Sequence, residues 1–247
     1  MEDSKMRIDI LTLFPDIFNG FLSHSIIRRA IDGCVVDIRL HDIRVYTHDK
    51  HHIVDDYPYG GGAGMLLKPE PIFEAVDHIK KEADLSSVYI VLLTPQGRVL
   101  DQSVVQRLAT YKNLLIICGH YEGVDERVAE YLADEEISIG DYLLTGGEVA
   151  AMAVVDCVVR LLPGAVGSGA SLSEESHANG LLEYPQYTRP AVYREFKVPP
   201  VLLSGNHREI AKWRRQQSLL RTAKRRSDLM EKIKLSAEDE KILKESL

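Results

Sequence analysis

The 247-residue chain predicts an α/β fold on a parallel sheet, followed by a smaller, mostly helical domain. Three observations carry that expectation. Short apolar runs alternate with helix-like segments through residues 1–161. The runs are nearly continuous, as parallel strands buried on both faces are. A stretch rich in Gly and Ser then separates them from a basic remainder.

In chain order, RIDILTL (Arg7–Leu13) reads as the first strand and PDIFNGFLSHSIIRRAIDG as the first helical segment. VVDIRLH (Val35–His41) is the second strand, and EPIFEAVDHIKKEA the next helix. VYIVLLT (Val88–Thr94), LLIIC (Leu114–Cys118) and EISIG (Glu136–Gly140) complete the strands, joined through the helical LDQSVVQRLATY and VDERVAEYLAD. This βαβα succession implies right-handed crossovers. Glu148 opens a last helix through VAAMAVVDCVV. Pro163, Gly164, Gly167, Ser168, Gly169, Ser171 and Ser173 then lie in a segment without periodicity. The expected division is a ligand-binding domain over 1–161, a flexible linker over 162–174 and a basic domain over 175–247.

Three strand ends in one half of the sheet run into glycine-bearing loops. These are TPQGR (Thr94–Arg98), GHYEGVDERV (Gly119–Val128) and the turn within ISIGDYLLTGGE (Ile137–Glu148). Ligands of open α/β sheets lie beyond the carboxyl ends of strands, so the three loops predict one small-molecule pocket. The pair Gly146–Gly147 is expected to use backbone angles closed to other residues and to bare its main chain to the ligand. Neither GxxxxGK[ST] nor a GxGxxG after the first strand is present, which disfavours a nucleotide polyphosphate.

Charge points to a different partner. The total is −7, yet between Arg189 and Arg226 eleven Lys or Arg face only Glu195 and Glu209, a local +9 that leaves −16 elsewhere. Such asymmetry indicates a polyanion, and Tyr184, Tyr187, Tyr193 and Trp213 supply surfaces on which unpaired bases stack. Cys34, Cys118 and Cys157 are too few and too scattered for a disulfide framework or a zinc knuckle, which fits a reducing cytoplasm. The N-terminus lacks a signal-peptide pattern, and the longest apolar stretch carries Asp156 and Arg160, so no membrane role is expected. The loop from Thr47 to Met65 holds His48, His51, His52, Asp49, Asp55 and Asp56 ahead of three glycines. Without helical spacing it is a poor metal cage and reads as a substrate-covering loop.

LFPDIF, VDDYPYGGGAGM, LLTPQGR, ICGHYEGVDERV, SIGDYLLTGGE, RLLPG, LLEYPQYTRP and GNHREIAKWRRQQSL together resemble the bacterial tRNA (guanine-N1)-methyltransferase family of the TrmD type, over almost the whole chain. The resemblance implies methyl transfer from S-adenosylmethionine to N1 of guanosine 37, immediately 3′ of the anticodon in tRNA, which guards against frameshifting. It also implies a SPOUT fold with a deep trefoil knot and a homodimer with shared active sites. Periodicity shows no knot, and knots are rare in proteins at large.

Carried over residue by residue, the cofactor pocket falls on Leu93, Thr94, Pro95, Tyr121, Glu122, Gly123, Ser138, Ile139, Gly140, Tyr142, Leu144, Thr145, Gly146 and Gly147. Arg160 matches the arginine that contacts the guanine, although an Arg four residues after Asp156 near a helix C-terminus is also expected on structural grounds. The catalytic carboxylate, usually an aspartate, aligns with Glu175 in the triplet Glu175, Ser176, His177. Glu174 is an alternative by a one-residue shift, and His177 ranks third. Asp55, Asp56, Tyr187, Thr188, Arg189, Asn206, His207, Lys212, Arg214 and Arg215 match the tRNA-facing positions, with the anticodon stem-loop as partner. Mg²⁺ is allowed by the resemblance, but no all-protein site for it can be read. Two rival readings are a SPOUT methyltransferase acting on ribosomal RNA and a non-enzymatic RNA-binding module.

Overall fold

A computed structural model describes residues 5–82, 87–166, 175–177 and 180–246. The chain forms two compact units, residues 1–167 and 168–247.

In the first unit, β1 (Met6–Thr12) leads through a 3₁₀ turn (Pro15–Phe18) and a short α1 (Asn19–Leu22) to α2 (Ser25–Asp32). The single helical segment read from the sequence is thus broken, with Ser25 at φ 57 marking the restart. β2 (Val36–Asp42), a second 3₁₀ turn (Ile43–Tyr46), the two-residue strands β3 (Asp55–Asp56) and β4 (Leu66–Leu67), and α3 (Pro69–Glu82) follow. Then come β5 (Tyr89–Val99), α4 (Gln102–Leu108), β6 (Asn113–Cys118), α5 (Glu126–Tyr131), β7 (Glu135–Ser138) and α6 (Glu148–Val159). Asp101 and Asp125 cap α4 and α5, their carboxylates accepting from the Val104 and Arg127 N–H groups.

Five strands form one sheet in the order β2-β1-β6-β5-β7, every pair parallel. Side chains leave β1 on alternate faces. Ile8 and Ile10 join Ala30, Val104, Leu108, Val154 and Val158 on one side of the sheet, where α2, α4 and α6 pack. Leu11 and Leu13 join Ile72, Val76, Ile79 and Val128 on the other, under α3 and α5. Asp9 is the wholly buried charge of β1. It accepts from Arg7 at 2.7 and 2.8 Å and from His41 Nε2 at 2.7 Å. Burial pushes its pKa up, but the bonds from His41 and Arg7 outweigh burial and leave it below the ordinary aspartate value.

β5 is longer than the run read from the sequence. It pairs with β7 through Leu93↔Ile137, and the ladder then resumes at Arg98↔Ile137. Thr94–Gly97 therefore bulge out of the ladder while their ends stay paired. β7 stops at Ser138, two residues short of the expected end, because Gly140 turns to φ +149 and folds back on the Ser138 hydroxyl.

The second unit contains a two-stranded pairing of β8 (Val192–Tyr193) with β9 (Phe196–Lys197) and the helices α7 (Pro200–Leu203), α8 (His207–Arg225), α9 (Ser227–Met230) and α10 (Ala237–Ser246). α8 begins at Asn206, whose side chain accepts from the Glu209 N–H, and ends with Lys224 and Arg225, which complements its dipole. Arg215 ties α8 to α10 by two bonds of 2.8 Å to the buried Asp239. Of the expected linker over 162–174, residues 167–174 lie outside the described residues, and so does the alternative base Glu174.

Candidate active site

Beyond the carboxyl ends of β5, β6 and β7 lies a cavity of about 410 Å³. All fourteen pocket positions named from the sequence border it, drawn from the Thr94 bulge, the Gly119–Val124 loop and the segment after β7. β6 and β7 flank β5 on opposite sides, so the chain steps from β5 to β6 and then crosses back past β5 to reach β7, a reversal of direction that opens a crevice in such sheets. Its volume is within the usual range for small-molecule sites.

The loops are held by their main chains. Gly147 N–H donates to Gly119 O at 2.8 Å, and an antiparallel bridge joins His120 to Gly146. Tyr121 is fixed at φ 58, in a region few non-glycine residues occupy, with its ring edge-on to His120 at 4.8 Å. The Tyr142 hydroxyl donates to Ile139 O at 3.2 Å.

The glycine pair is explained differently from the expectation. Gly147 sits at φ −78, and Gly146 is not among the positive-φ glycines. A Cβ on Gly147 would lie 2.8 Å from Cys118 Cα, so the glycine allows α6 to start directly against the end of β6. Close packing, not an unusual backbone angle, is what requires it.

The polar lining is one-sided. Glu122, Glu126 and Glu136 border the cavity, and no lysine or arginine does among the described residues. Cys118, the last residue of β6, is buried and does not line the cavity; its thiol pKa is pushed well up by desolvation and by the Glu148 charge, so it stays an inert thiol. Gln96, Gly119, His120, Glu126, Glu136 and Leu143 also line the cavity without having been singled out from the sequence. His120 stood inside the GHYEG motif, but nothing local marks an imidazole there as more than a loop residue.

The other expected residues lie elsewhere. Arg160 is the C-cap of α6, ten residues beyond Ala150, the last α6 residue on the cavity wall. At the helical rise that separation is about 15 Å, so the structure does not bring Arg160 to this cavity. Asp55 and Asp56 form β3, paired with β4. β4 and its flank bind the pocket loop from behind: Glu122 N donates to Met65 O and Leu67 N to Gly123 O. In the loop between Thr47 and Met65, Asp49 accepts from the N–H groups of His51 and Ile53, and His48 meets Glu74 at 2.6 Å. Among the described residues no group of three or more His, Cys, Asp or Glu is arranged to hold a metal, and no residue of that loop lines the cavity. Likewise, no described helix is long and apolar enough to cross a membrane.

In the second unit Glu175 is half-buried and His177 exposed, while Tyr187, Thr188, Arg189, Asn206, His207 and Lys212 are all exposed. Arg214 stacks over the Tyr184 ring at 4.7 Å. With Arg215 held by Asp239, Arg226 by Asp228, Arg221 donating to Glu183 O and Arg194 over the Tyr193 ring, at least five of the cations counted from the sequence have partners inside the unit.

A parallel α/β sheet whose strand ends enclose a carboxylate-lined pocket, joined in sequence to a basic unit, defines the class as an α/β protein that combines a pocket of small-molecule size with a positively charged second unit. Comparison with known proteins makes this specific. The family described as tRNA (Guanine-1)-methyltransferase TrmD matches residues 6–232, and the chain belongs to that family. It is 57% identical over 242 residues to the tRNA (guanine-N(1)-)-methyltransferase of a Dehalococcoides mccartyi strain, covering 98% of this chain and 97% of that protein. The protein of the same name from Geobacillus kaustophilus is 57% identical over 240 residues, 97% of this chain and 98% of its own length. That from Geotalea uraniireducens is 54% identical over 240 residues, 97% and 96% of the two chains.

Proposed function

We propose that this protein transfers a methyl group from S-adenosylmethionine to N1 of guanosine 37 in tRNA. The observation that carries the donor assignment is the cavity's lining, with three glutamates and, among the described residues, no lysine or arginine. Such a site favours a cationic sulfonium and repels the phosphates of a nucleotide. Main-chain amides and carbonyls of the three loops would hold the adenine and ribose. Bound S-adenosylmethionine supplies a methyl group already activated on its sulfonium.

The chain's own residues must then prepare the guanine. N1 bears a weakly acidic proton, so a base within hydrogen-bond reach is needed, and a cation at O6 stabilises the charge that develops as the proton leaves. Glu175 takes the first role and Arg160 the second. Glutamate in place of the family's usual aspartate adds one methylene, which places the backbone farther from the guanine for the same carboxylate position. Because Arg160 stands a helix length from its own chain's cavity, we assign both residues to the pocket of a second protomer in a homodimer. The SPOUT knot, the division into a cofactor domain (1–161), linker (162–174) and tRNA-binding domain (175–247), and a cytoplasmic site of action belong to the same proposal. Tyr187, Thr188, Arg189, Asn206 and His207 would meet the anticodon stem-loop, with Asp55 and Asp56 on the substrate side. Lys212 is the exposed candidate for a phosphate, whereas Arg215 would have to leave Asp239 to reach one.

The test is mass mapping of the modified nucleoside. Purified protein, S-adenosylmethionine and unmodified tRNA should yield 1-methylguanosine at position 37. Methylation of a ribosomal RNA transcript offered alongside, with none of the tRNA, would replace this reading by the rRNA one.

A further inference from the structure

Glu148, the first residue of α6, is buried, and so is Thr12 at the end of β1. The Thr12 hydroxyl donates to Glu148 Oε1 at 2.7 Å and accepts from the Phe14 N–H at 3.0 Å. One carboxylate oxygen is thereby fixed from the sheet, and the helix N-terminus favours the negative charge. The other oxygen, Oε2, stands 4.0 Å from Nδ1 of His120. That nitrogen is buried and has no hydrogen-bond partner among the described residues. The imidazole is clamped edge-on by Phe14 at 5.0 Å and Tyr121 at 4.8 Å, and its main chain is bridged to Gly146. A Cβ on Gly146 would strike both the Glu148 carboxylate and the His120 ring. His120 lines the cavity; Glu148 and Thr12 do not.

We propose that Glu148, anchored by Thr12, is a positioning residue that fixes the His120 imidazole in the cofactor pocket, where His120 touches the methyl donor. This rests on the reading of the cavity as the S-adenosylmethionine site. A buried Nδ1 without a partner carries a desolvation cost, and closing about 1 Å toward Oε2 would remove it. Donating Nδ1–H to Glu148 selects one tautomer and leaves Nε2 as an acceptor, suited to an ammonium or hydroxyl group of the ligand. Thr12, Glu148 and His120 then act as one chain from the sheet to the pocket, although they lie far apart in sequence.

Full-length protein serves for the test, with calorimetric titration of S-adenosylmethionine and of its product S-adenosylhomocysteine, and circular dichroism melting in parallel. Glu148→Gln keeps the side-chain shape and a bond to Thr12 but removes the charge that orients His120. Glu148→Gln, Thr12→Val and His120→Ala should each weaken binding by about five- to tenfold, the loss of one hydrogen bond. The double variant Glu148→Gln/His120→Ala should bind no more weakly than His120→Ala alone, since a residue acting only through His120 has nothing left to position. Multiplicative losses in the double variant would overturn the proposal. So would unchanged affinity in Glu148→Gln with a lowered melting temperature, which is the mark of a purely structural carboxylate. If Glu148→Gln fails to fold, the same cycle run with Thr12→Val and His120→Ala decides. Failure of the pocket reading has a different signature: the wild-type protein binds neither ligand, or Thr145→Arg, at an exposed position of the cavity wall, leaves binding unaltered. In that case both the pocket and the role of His120 fall.

Discussion

Replacing Gly147 by alanine should cost the fold about 2–3 kcal/mol, and the figure follows from where the added methyl would stand. Its carbon would lie 2.8 Å from Cys118 Cα and 3.1 Å from both Cys118 Cβ and Gly119 N. Carbon atoms in good contact sit about 3.5–4.0 Å apart, so the start of α6 must retreat by nearly 1 Å. Two of the three opposing atoms are main chain, which leaves no rotamer to relieve the clash. Overpacking of this kind costs about 1–3 kcal/mol, and stretching the 2.8 Å bond from Gly147 N to Gly119 O adds about 0.5–1.5 kcal/mol. Alanine regains at most about 1 kcal/mol of backbone entropy. Because the glycine already has φ −78, no backbone strain enters. Urea unfolding should show a lower midpoint at unchanged slope. Gly146→Ala is the control: the three atoms nearest its methyl belong to the Glu148 and His120 side chains and none to the main chain, so ligand affinity should fall with a smaller loss of stability. A Gly147→Ala protein with wild-type midpoint but weakened ligand affinity would refute the close-packing argument and return the glycine pair to a ligand-access role.

Three further outcomes are expected. Arg160→Ala should lower turnover by about 2–4 kcal/mol in transition-state stabilisation while leaving S-adenosylmethionine affinity intact; loss of thermal stability at normal turnover would instead make Arg160 a helix cap alone. Glu175→Gln and Thr145→Arg homodimers should both be inactive, yet a purified heterodimer of the two should regain one whole site; a heterodimer as dead as its parents would rule out action across the interface. Asp239→Asn should destabilise the second unit by about 2–3 kcal/mol near pH 7, read from Trp213 fluorescence, because two charge-assisted bonds to Arg215 are lost. The bond from Arg215 holds the Asp239 carboxyl well below the ordinary aspartate value. Its contribution is therefore complete above the unfolded-state value near 4 and is lost only as pH falls to the folded one, so wild type and variant should draw together steadily below about pH 4 and converge only at acidity well below the ordinary aspartate range. A gap that persists there would show that the pair does not set the acid response.

The strands were legible because parallel strands buried on both faces leave uninterrupted apolar runs, and the boundaries of β1, β2 and β6 shift by only a residue or so. β5 was read too short, since Thr-Pro-Gln-Gly has the composition of a turn, and only pairing with β7 reveals that the chain rejoins the sheet. The break at Ser25 escaped for a similar reason: the apolar spacing runs through it, and the restart depends on tertiary packing. The fourteen cavity positions were carried over with the motifs, whereas the pairing of His120 with Glu148 was not, because a contact between residues 28 apart in sequence has no periodic signature. Counting basic residues between Arg189 and Arg226 overstated the free positive charge. Asp239 lies beyond that window and holds Arg215.

The excursion of β5 between Leu93 and Arg98 means that a pocket wall is pinned to the same residue, Ile137, at its entry and its exit. A four-residue span tethered in this way has little freedom left to lose when a ligand arrives. Its ordering cost is met when the sheet forms, and the affinity of the pocket is not reduced by it. Conversely, this wall cannot open without unzipping the sheet edge at β7. The segment from Tyr142 to Thr145, which also borders the cavity, is solvent-exposed throughout, so any opening of the pocket is expected there and not at the bulge.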